Sequence, residues 1–131
     1  MAPAPIENKL EESFLVEQVM VVGEKRKFVS ALIVPAEEAL KDWCEESGLG
    51  WTNMLDAIEK PEVIAKYQAI IDKENPQFSK IEKIKKFQLV PGPWEAVKAD
   101  GSKAELTPTL KLKRRVIREK HNGDIEHIYD V

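Results

Sequence analysis

The chain has 131 residues and a mass of 14.9 kDa, which is close to the commonest size of a single globular domain. Its 43% hydrophobic and 33% charged residues exclude disorder throughout, and its formal net charge of −3 excludes a globally basic nucleic-acid binder. The single cysteine, Cys44, excludes an internal disulfide and indicates a reducing, cytoplasmic compartment, while no apolar run is long enough to span a membrane.

The chain begins with the segment MAPAPIENKL, which has neither the basic nor the apolar region of a secretory signal. A helical pattern follows almost at once, as expected of a domain cut from a longer protein. Ile6, Leu10 and Phe14 recur at every fourth position. They predict a short amphipathic helix within Pro5 to Leu15.

Two β-branched apolar runs come next, and they predict strands over Val16 to Val22 and Phe28 to Val34. The loop between them is too short for a parallel crossover, so the two strands are expected to pair antiparallel. Because both runs are almost continuously apolar, the sheet is expected to be covered by helices.

The middle of the chain alternates helical and strand patterns. Apolar spacing predicts a helix that ends at Gly48, a helical turn between Trp51 and Ile58, and a helix from Pro61 that stops before Asn75. The alternation over Ile84 to Val90 predicts a third strand. We therefore predict an α+β domain, with helices packed on a small antiparallel or mixed three-stranded sheet.

The last third of the chain begins with a polar stretch rich in proline and glycine. It predicts a loop over Pro91 to Glu105, anchored by Trp94. A helix is predicted after it, with Thr109 as its N-cap and a narrow apolar face that includes Leu112. The final residues predict a short terminal element.

A basic segment follows Thr109, in which six of the ten residues from 111 to 120 are cationic: Lys111, Lys113, Arg114, Arg115, Arg118 and Lys120. One interpretation is a solvated helix face that complements the helix dipole. The other is an anion site, since lysine supplies a compact charge suited to phosphate or carboxylate. Composition alone leaves both interpretations open.

Other site chemistry is not indicated by the sequence. His121 and His127 are six positions apart, a spacing that does not bring both onto one helix face, and no metal site is predicted. The chain has no nucleophile elbow, dinucleotide fingerprint or phosphate loop. A self-contained active site is therefore not predicted.

Two segments at opposite ends of the chain are distinctive: PIENKLEESFLVEQVMVVGEKRKFVSALIVP and ELTPTLKLKRRVI. Together they resemble the C-terminal domain of long-chain fatty-acid–CoA ligases, which are AMP-forming, adenylate-forming synthetases. The resemblance runs from Pro5 to about Lys120. It implies that residues 1–131 are a single C-terminal lid domain, and that a large N-terminal adenylation domain and the hinge lie outside this chain.

The resemblance implies a two-step reaction in which fatty acid and ATP give an acyl-adenylate and CoA then displaces AMP. ATP and CoA are its co-substrates, and Mg²⁺ is expected through the N-terminal domain. In this family a lysine near the end of the mobile lid contacts the substrate carboxylate and the adenylate in the first step. The motif match puts that lysine at Lys111. Many relatives carry a glycine before it where this chain has Leu110, so Lys113 stays open as the alternative.

The predicted hairpin tip carries two weaker candidates, Lys25 and Arg26, which would meet CoA phosphates in the second step; a solvated turn is the alternative. The implied partners are the N-terminal adenylation domain, fatty acid, ATP and CoA, without nucleic acid or a transmembrane segment, and peripheral membrane contact stays open. The isolated chain is expected to be inactive. The alternative function is a free-standing module that docks acidic partners through a basic helix over residues 111–120.

Overall fold

The computed structural model describes residues 2–130. Residues up to Gly92 form one compact unit, called the first unit below, and residues from Pro93 form the second unit. A mixed three-stranded sheet with helices confirms the predicted α+β class. No helix among the described residues is long and apolar enough to cross a membrane.

The sheet of the first unit has the strand order β1-β2-β3. Its strands are β1 (Val16–Val22), β2 (Val29–Pro35) and β3 (Ile84–Leu89), which confirms all three predicted strands to within a residue at each end. β1 and β2 pair antiparallel across the short loop, as expected. β3 pairs parallel to β2, and this is possible because a long helical connection separates them.

Four helices belong to the first unit: α1 (Pro3–Leu10), α2 (Glu37–Glu46), α3 (Met54–Ala57) and α4 (Pro61–Glu74). The predicted end of α2 near Gly48 is confirmed, since Gly48 has a φ of 78°. α4 starts and stops where the prolines of the sequence predict. Two 3-10 turns, Asn75–Gln77 and Lys80–Glu82, connect α4 to β3.

The predicted extension of the first helix to Leu15 is wrong, because α1 ends at Leu10. The chain turns at Ser13, whose carbonyl accepts a hydrogen bond from the Val16 N–H at 3.0 Å, and β1 begins directly after it. Phe14, expected on the apolar helix face, is therefore 75% exposed.

The core of the first unit lies between the sheet and the helices, and polar contacts tie α1 to β1 and α4 to the residue just before β1. Glu7 is buried in α1, and its Oε2 accepts a hydrogen bond from the Val21 N–H at 2.7 Å. The Tyr67 hydroxyl of α4 donates to the Leu15 carbonyl at 2.7 Å. Such bonds satisfy polar groups that would otherwise be costly to bury.

The second unit contains a predicted loop followed by a hairpin and two helices, α5 (Arg114–Lys120) and α6 (Asn122–Tyr129). Residues 91–105 form neither helix nor strand, and Trp94 is buried within them, as predicted. The helix predicted from Thr109 begins only at Arg114, so that prediction is wrong. Leu112 instead pairs with Leu106 in an antiparallel bridge. α6 confirms the short terminal element.

Candidate functional site

The first candidate residue, Lys111, lies on a tight hairpin in the second unit. The Leu106–Leu112 bridge closes this hairpin. Within it the Thr107 N–H donates to the Lys111 carbonyl at 2.8 Å, and the Leu110 N–H donates to the Thr107 carbonyl at 2.8 Å. The Lys111 N–H donates to Thr107 Oγ1 at 3.1 Å. These bonds hold the backbone of Lys111 in one place, with no helix involved.

The turn of this hairpin requires a left-handed residue at its third loop position. Pro108 suits the first loop position, and Leu110 occupies the third with a φ of 66°. Glycine is the residue that adopts this conformation without steric cost. Leu110, which stands where many relatives carry glycine, is thus strained in a turn that favours glycine. The hydrogen bonds of the turn are nevertheless formed.

Both candidate lysines of the second unit are exposed. Lys111 and Lys113 flank Leu112, which forms the bridge to Leu106. The Lys113 N–H donates to the Glu105 carbonyl at 2.8 Å, and α5 begins at the next residue. Among residues 2–130 no carboxylate forms an ion pair with the ammonium group of either lysine. Both charges are therefore available to an external anion.

The structure also contains an ion-pair cluster around Glu105 that the sequence analysis did not identify. Glu105 is buried, and its Oε2 lies 2.8 Å from Lys120 Nζ and 3.3 Å from Lys98 Nζ. Its Oε1 accepts a hydrogen bond from the Glu95 N–H at 2.9 Å. Lys120 also donates to Ser102 Oγ at 2.9 Å. These contacts hold in place the segment around Glu105 that leads into the hairpin.

Electrostatics keep Glu105 ionised. Burial raises the pKa of this carboxyl, but the hydrogen bonds from Lys120, Glu95 and Lys98 outweigh burial and hold the pKa below its ordinary value. Lys120 is consequently committed to a structural contact. In α5, Arg115 likewise pairs with Glu119 at 3.3 Å. The basic segment is therefore not one uniform cationic helix face, and its helical part is only residues 114–120.

His121 has hydrogen-bond contacts with two neighbouring side chains, those of Trp94 and Asp124. Trp94 Nε1 donates to His121 Nε2 at 3.1 Å, and Asp124 Oδ2 lies 3.0 Å from His121 Nδ1. Because an indole N–H can only donate, Nε2 must be the acceptor and Nδ1 carries the proton toward Asp124. This chain of contacts anchors Trp94. No group of three histidine, cysteine, aspartate or glutamate residues in the described part of the chain is placed to hold a metal ion.

The second pair of candidates, Lys25 and Arg26, lies in the first unit at the tip of the β1-β2 hairpin. Both side chains are exposed. The Arg26 N–H donates to the Gly23 carbonyl at 3.1 Å, and Lys25 has a φ of 59°. These contacts define a tight turn that presents cations to solvent.

A signal for the hairpin was present in the sequence. Thr107-Pro108-Thr109 is a turn pattern. Thr107 and Lys111 can pair across the three-residue loop 108–110, and this pairing places Leu106 opposite Leu112. The lysine and arginine run that follows has high helix propensity, and it favoured a helix that started too early. The Glu105 cluster had no comparable signal, because its partners lie 7 and 15 positions away.

Comparison with known protein families gives one match over the whole chain. The model described as AMP-binding enzyme C-terminal domain matches residues 1–131. The chain is 36% identical over 131 residues to long-chain-fatty-acid–CoA ligase FadD15 of Mycobacterium tuberculosis, which covers 99% of this chain and 21% of that protein. It is 28% identical over 128 residues to long chain acyl-CoA synthetase 8 of Arabidopsis thaliana, which covers 95% of this chain and 17% of that protein.

Solved structures share the fold. The A-PCP didomain of carboxylic acid reductase from Segniliparus rugosus, in complex with AMP, matches with a TM-score of 0.70 at 19% identity, over 99% of this chain and 16% of that chain. The adenylation domain of a carboxylate reductase from Mycobacterium chelonae matches with a TM-score of 0.65 at 22% identity, over 98% of this chain and 18% of that chain. The chain thus spans about a fifth of the length of the proteins it matches.

Proposed function

Because the chain belongs to the family of AMP-binding enzyme C-terminal domains, we propose that it is the catalytic lid of an AMP-forming long-chain fatty-acid–CoA ligase. The observation that carries the proposal is Lys111, an exposed cation that has no ion-pair partner within residues 2–130 and is held on a hydrogen-bonded hairpin. Residues 1–131 then work as a C-terminal lid domain. A larger N-terminal adenylation domain and a hinge complete the enzyme, and that domain is the principal partner of this chain.

The proposed reaction has two steps. Fatty acid and ATP first give acyl-adenylate and pyrophosphate, and the thiol of CoA then attacks the acyl carbon, giving acyl-CoA and AMP. The first step brings the fatty-acid carboxylate to the α-phosphate of ATP, so that two anions approach each other. A positioned ammonium group offsets that repulsion and stabilises the charge that develops.

The hairpin suits Lys111 to this role. Its backbone is fixed by bonds to Thr107 on both its N–H and its carbonyl, so little ordering is needed when the side chain meets an anion. A lysine carried on a mobile lid acts in one step and leaves before the next. Lys113 is two positions further along and also exposed, and it is the alternative that the experiment must separate.

The other substrates have less specific support in this chain. Lys25 and Arg26 supply exposed cations at the β1-β2 tip, and we assign them to CoA phosphates in the second step. Mg²⁺ accompanies ATP in such reactions, and its ligands are expected in the N-terminal domain. Cys44, a free and buried thiol, fits a reducing cytoplasmic compartment.

The decisive experiment measures the two half-reactions separately in the full-length enzyme. Lys111→Ala should reduce acyl-adenylate formation on the order of a hundredfold or more, because a cation that stabilises transition-state charge is lost. Thioester formation from pre-made acyl-adenylate should stay within about tenfold of the parent, since no carboxylate then meets phosphate.

Lys113→Ala is the matched control. If Lys113→Ala abolishes adenylation and Lys111→Ala does not, the reaching lysine is Lys113. Equal loss of both half-reactions with Lys111→Ala would contradict a step-specific role. The isolated chain should show no pyrophosphate release or acyl-CoA formation, because it cannot align three substrates alone, and clear turnover would contradict the lid proposal.

A further inference from the structure

A group of exposed cations lies at the end of the sheet where β2 and β3 begin. Because these strands are parallel, they start at the same end, and the β1-β2 tip lies there too. These cations and one exposed apolar residue, Ile81, are together called the basic end below: Lys27, Lys80, Ile81, Lys83, Lys85 and Lys86. Five of these six residues are lysines, in a chain whose net charge is −3.

The strands hold this group together. Val29 pairs with Ile84 at the start of both strands, and Lys86 pairs with Ser30 after an irregularity in the register. Lys86 Nζ lies 5.7 Å from the centre of the Phe28 ring, which is next to Lys27 in the hairpin loop. The hairpin loop and the start of β3 therefore form one continuous surface.

Ile81 is the unusual member of the basic end. It lies in the 3-10 turn Lys80–Glu82 and is 82% exposed, with Lys80 before it and Lys83 two positions after it in the sequence. The Glu82 N–H donates to the Ser79 carbonyl at 2.9 Å across this turn. The start of β3 after it is held by the Asn75 side chain, which donates to the Ile84 carbonyl at 2.9 Å and accepts from the Ile84 N–H at 3.0 Å. Ser79 Oγ donates to Glu82 Oε1 at 2.8 Å, so the carboxylate that follows Ile81 in the sequence has a hydrogen-bond partner within the same segment.

We propose that the basic end is a docking surface for an anionic lipid bilayer. Lys80 and Lys83 lie close in sequence to the exposed aliphatic side chain of Ile81 on a hydrogen-bonded turn, and this combination pairs attraction to anionic headgroups with insertion of an apolar group. A nucleic acid would gain little from Ile81, and Phe28, the ring at this end, is already covered by Lys86. The choice of a lipid partner rests on the proposed function, since a long-chain fatty acid is presented by membranes.

The test uses the 131-residue chain with vesicles of phosphatidylcholine alone or mixed with phosphatidylglycerol. Co-sedimentation should show binding only to the mixed vesicles, and about 1 M salt should weaken it strongly. Each lysine near an anionic surface contributes roughly a fivefold factor in partitioning, so Lys83→Gln, Lys85→Gln and Lys86→Gln together should weaken binding by roughly a hundredfold.

The matched control removes three exposed cations elsewhere, with Lys73→Gln, Lys103→Gln and Arg118→Gln, and makes the same change in net charge. It should weaken binding far less. Ile81→Ser should weaken binding by about tenfold while the salt dependence persists, because the inserted group is lost and the charge is kept.

Three results would overturn the proposal: equal loss in the two triple variants, equal binding to both kinds of vesicle, or binding of an oligonucleotide but not of vesicles. These variants leave Lys25, Arg26 and Lys111 unchanged, and no catalytic step is measured. Failure of vesicle binding is thus distinguishable from failure of the lid proposal, which the half-reactions test.

Discussion

The strained turn before Lys111 gives a prediction that separates backbone conformation from side-chain packing. Leu110 has a φ of 66° and is 69% exposed, so its side chain contributes little burial while its β-carbon opposes the left-handed conformation. That conformation costs an L-residue about 1–2 kcal/mol. Glycine removes this cost, but it gives the unfolded chain more conformational freedom to lose on folding, which lowers the stability of the folded state by about 0.4–1 kcal/mol.

Comparison of Leu110→Gly with Leu110→Ala isolates the backbone effect, because both changes remove the leucine side chain. Leu110→Gly should make the hairpin more stable than Leu110→Ala by about 0.5–1 kcal/mol, the difference of the two costs. Amide exchange of the Thr107 and Lys113 N–H groups, both bonded within the hairpin, measures its opening directly. Their protection factors should be about two to five times higher with Leu110→Gly. Equal or lower protection would mean that the left-handed turn is not the populated conformation.

Three further predictions concern the core, the Glu105 cluster and the loop. Leu32→Ala, at a position with 0% exposure, should cost about 2–5 kcal/mol in a urea titration, and a loss below about 0.5 kcal/mol would contradict its burial in the core. Since the pKa of Glu105 is lowered in the folded state, its contribution to stability should be complete above the ordinary value of 4.5 and be lost as the pH falls through the folded pKa. Glu105→Gln should remove that part of the acid dependence of unfolding, and an unchanged profile would refute the assignment. Residues 96–100 should exchange their amides fastest within the loop, whereas the Glu95 N–H, bonded to the Glu105 side chain, should be protected; equal protection throughout would contradict this.

The strands and α4 were predictable because their signals are local. Continuous β-branched runs bounded by a short polar loop specify β1 and β2, and Pro61 and Asn75-Pro76 mark the ends of α4. The end of α1 was not predictable in this way. Phe14 continues the helical spacing, but the chain must turn at Ser13 to begin β1, and this tertiary requirement overrides the pattern.

The environment of Lys111 was predictable only in part. The motif predicts which residue is the candidate, but the segment after Thr109 was predicted as helix because lysine, arginine and leucine all favour helices. The hairpin forms instead because the Lys113 N–H bonds to the Glu105 carbonyl and Leu112 pairs with Leu106. Contacts between residues several positions apart carry no period in the sequence, so neither helical nor strand spacing reveals them.

The cations of the second unit differ in what neutralises them, and this difference favours Lys111 and Lys113 over Lys98 and Lys120 as the lysine that meets an anion. Lys98 and Lys120 hold the buried carboxylate of Glu105, so drawing either one toward a ligand would leave a buried charge short of partners. That loss costs about 1–3 kcal/mol or more, which any ligand contact would have to offset. Within the part of the chain that the structure describes, Lys111 has no ion pair to break when it turns to an anion, and its backbone is already held by Thr107. Catalysis by a positioned cation needs both conditions, a charge that is free to act and a support that does not move.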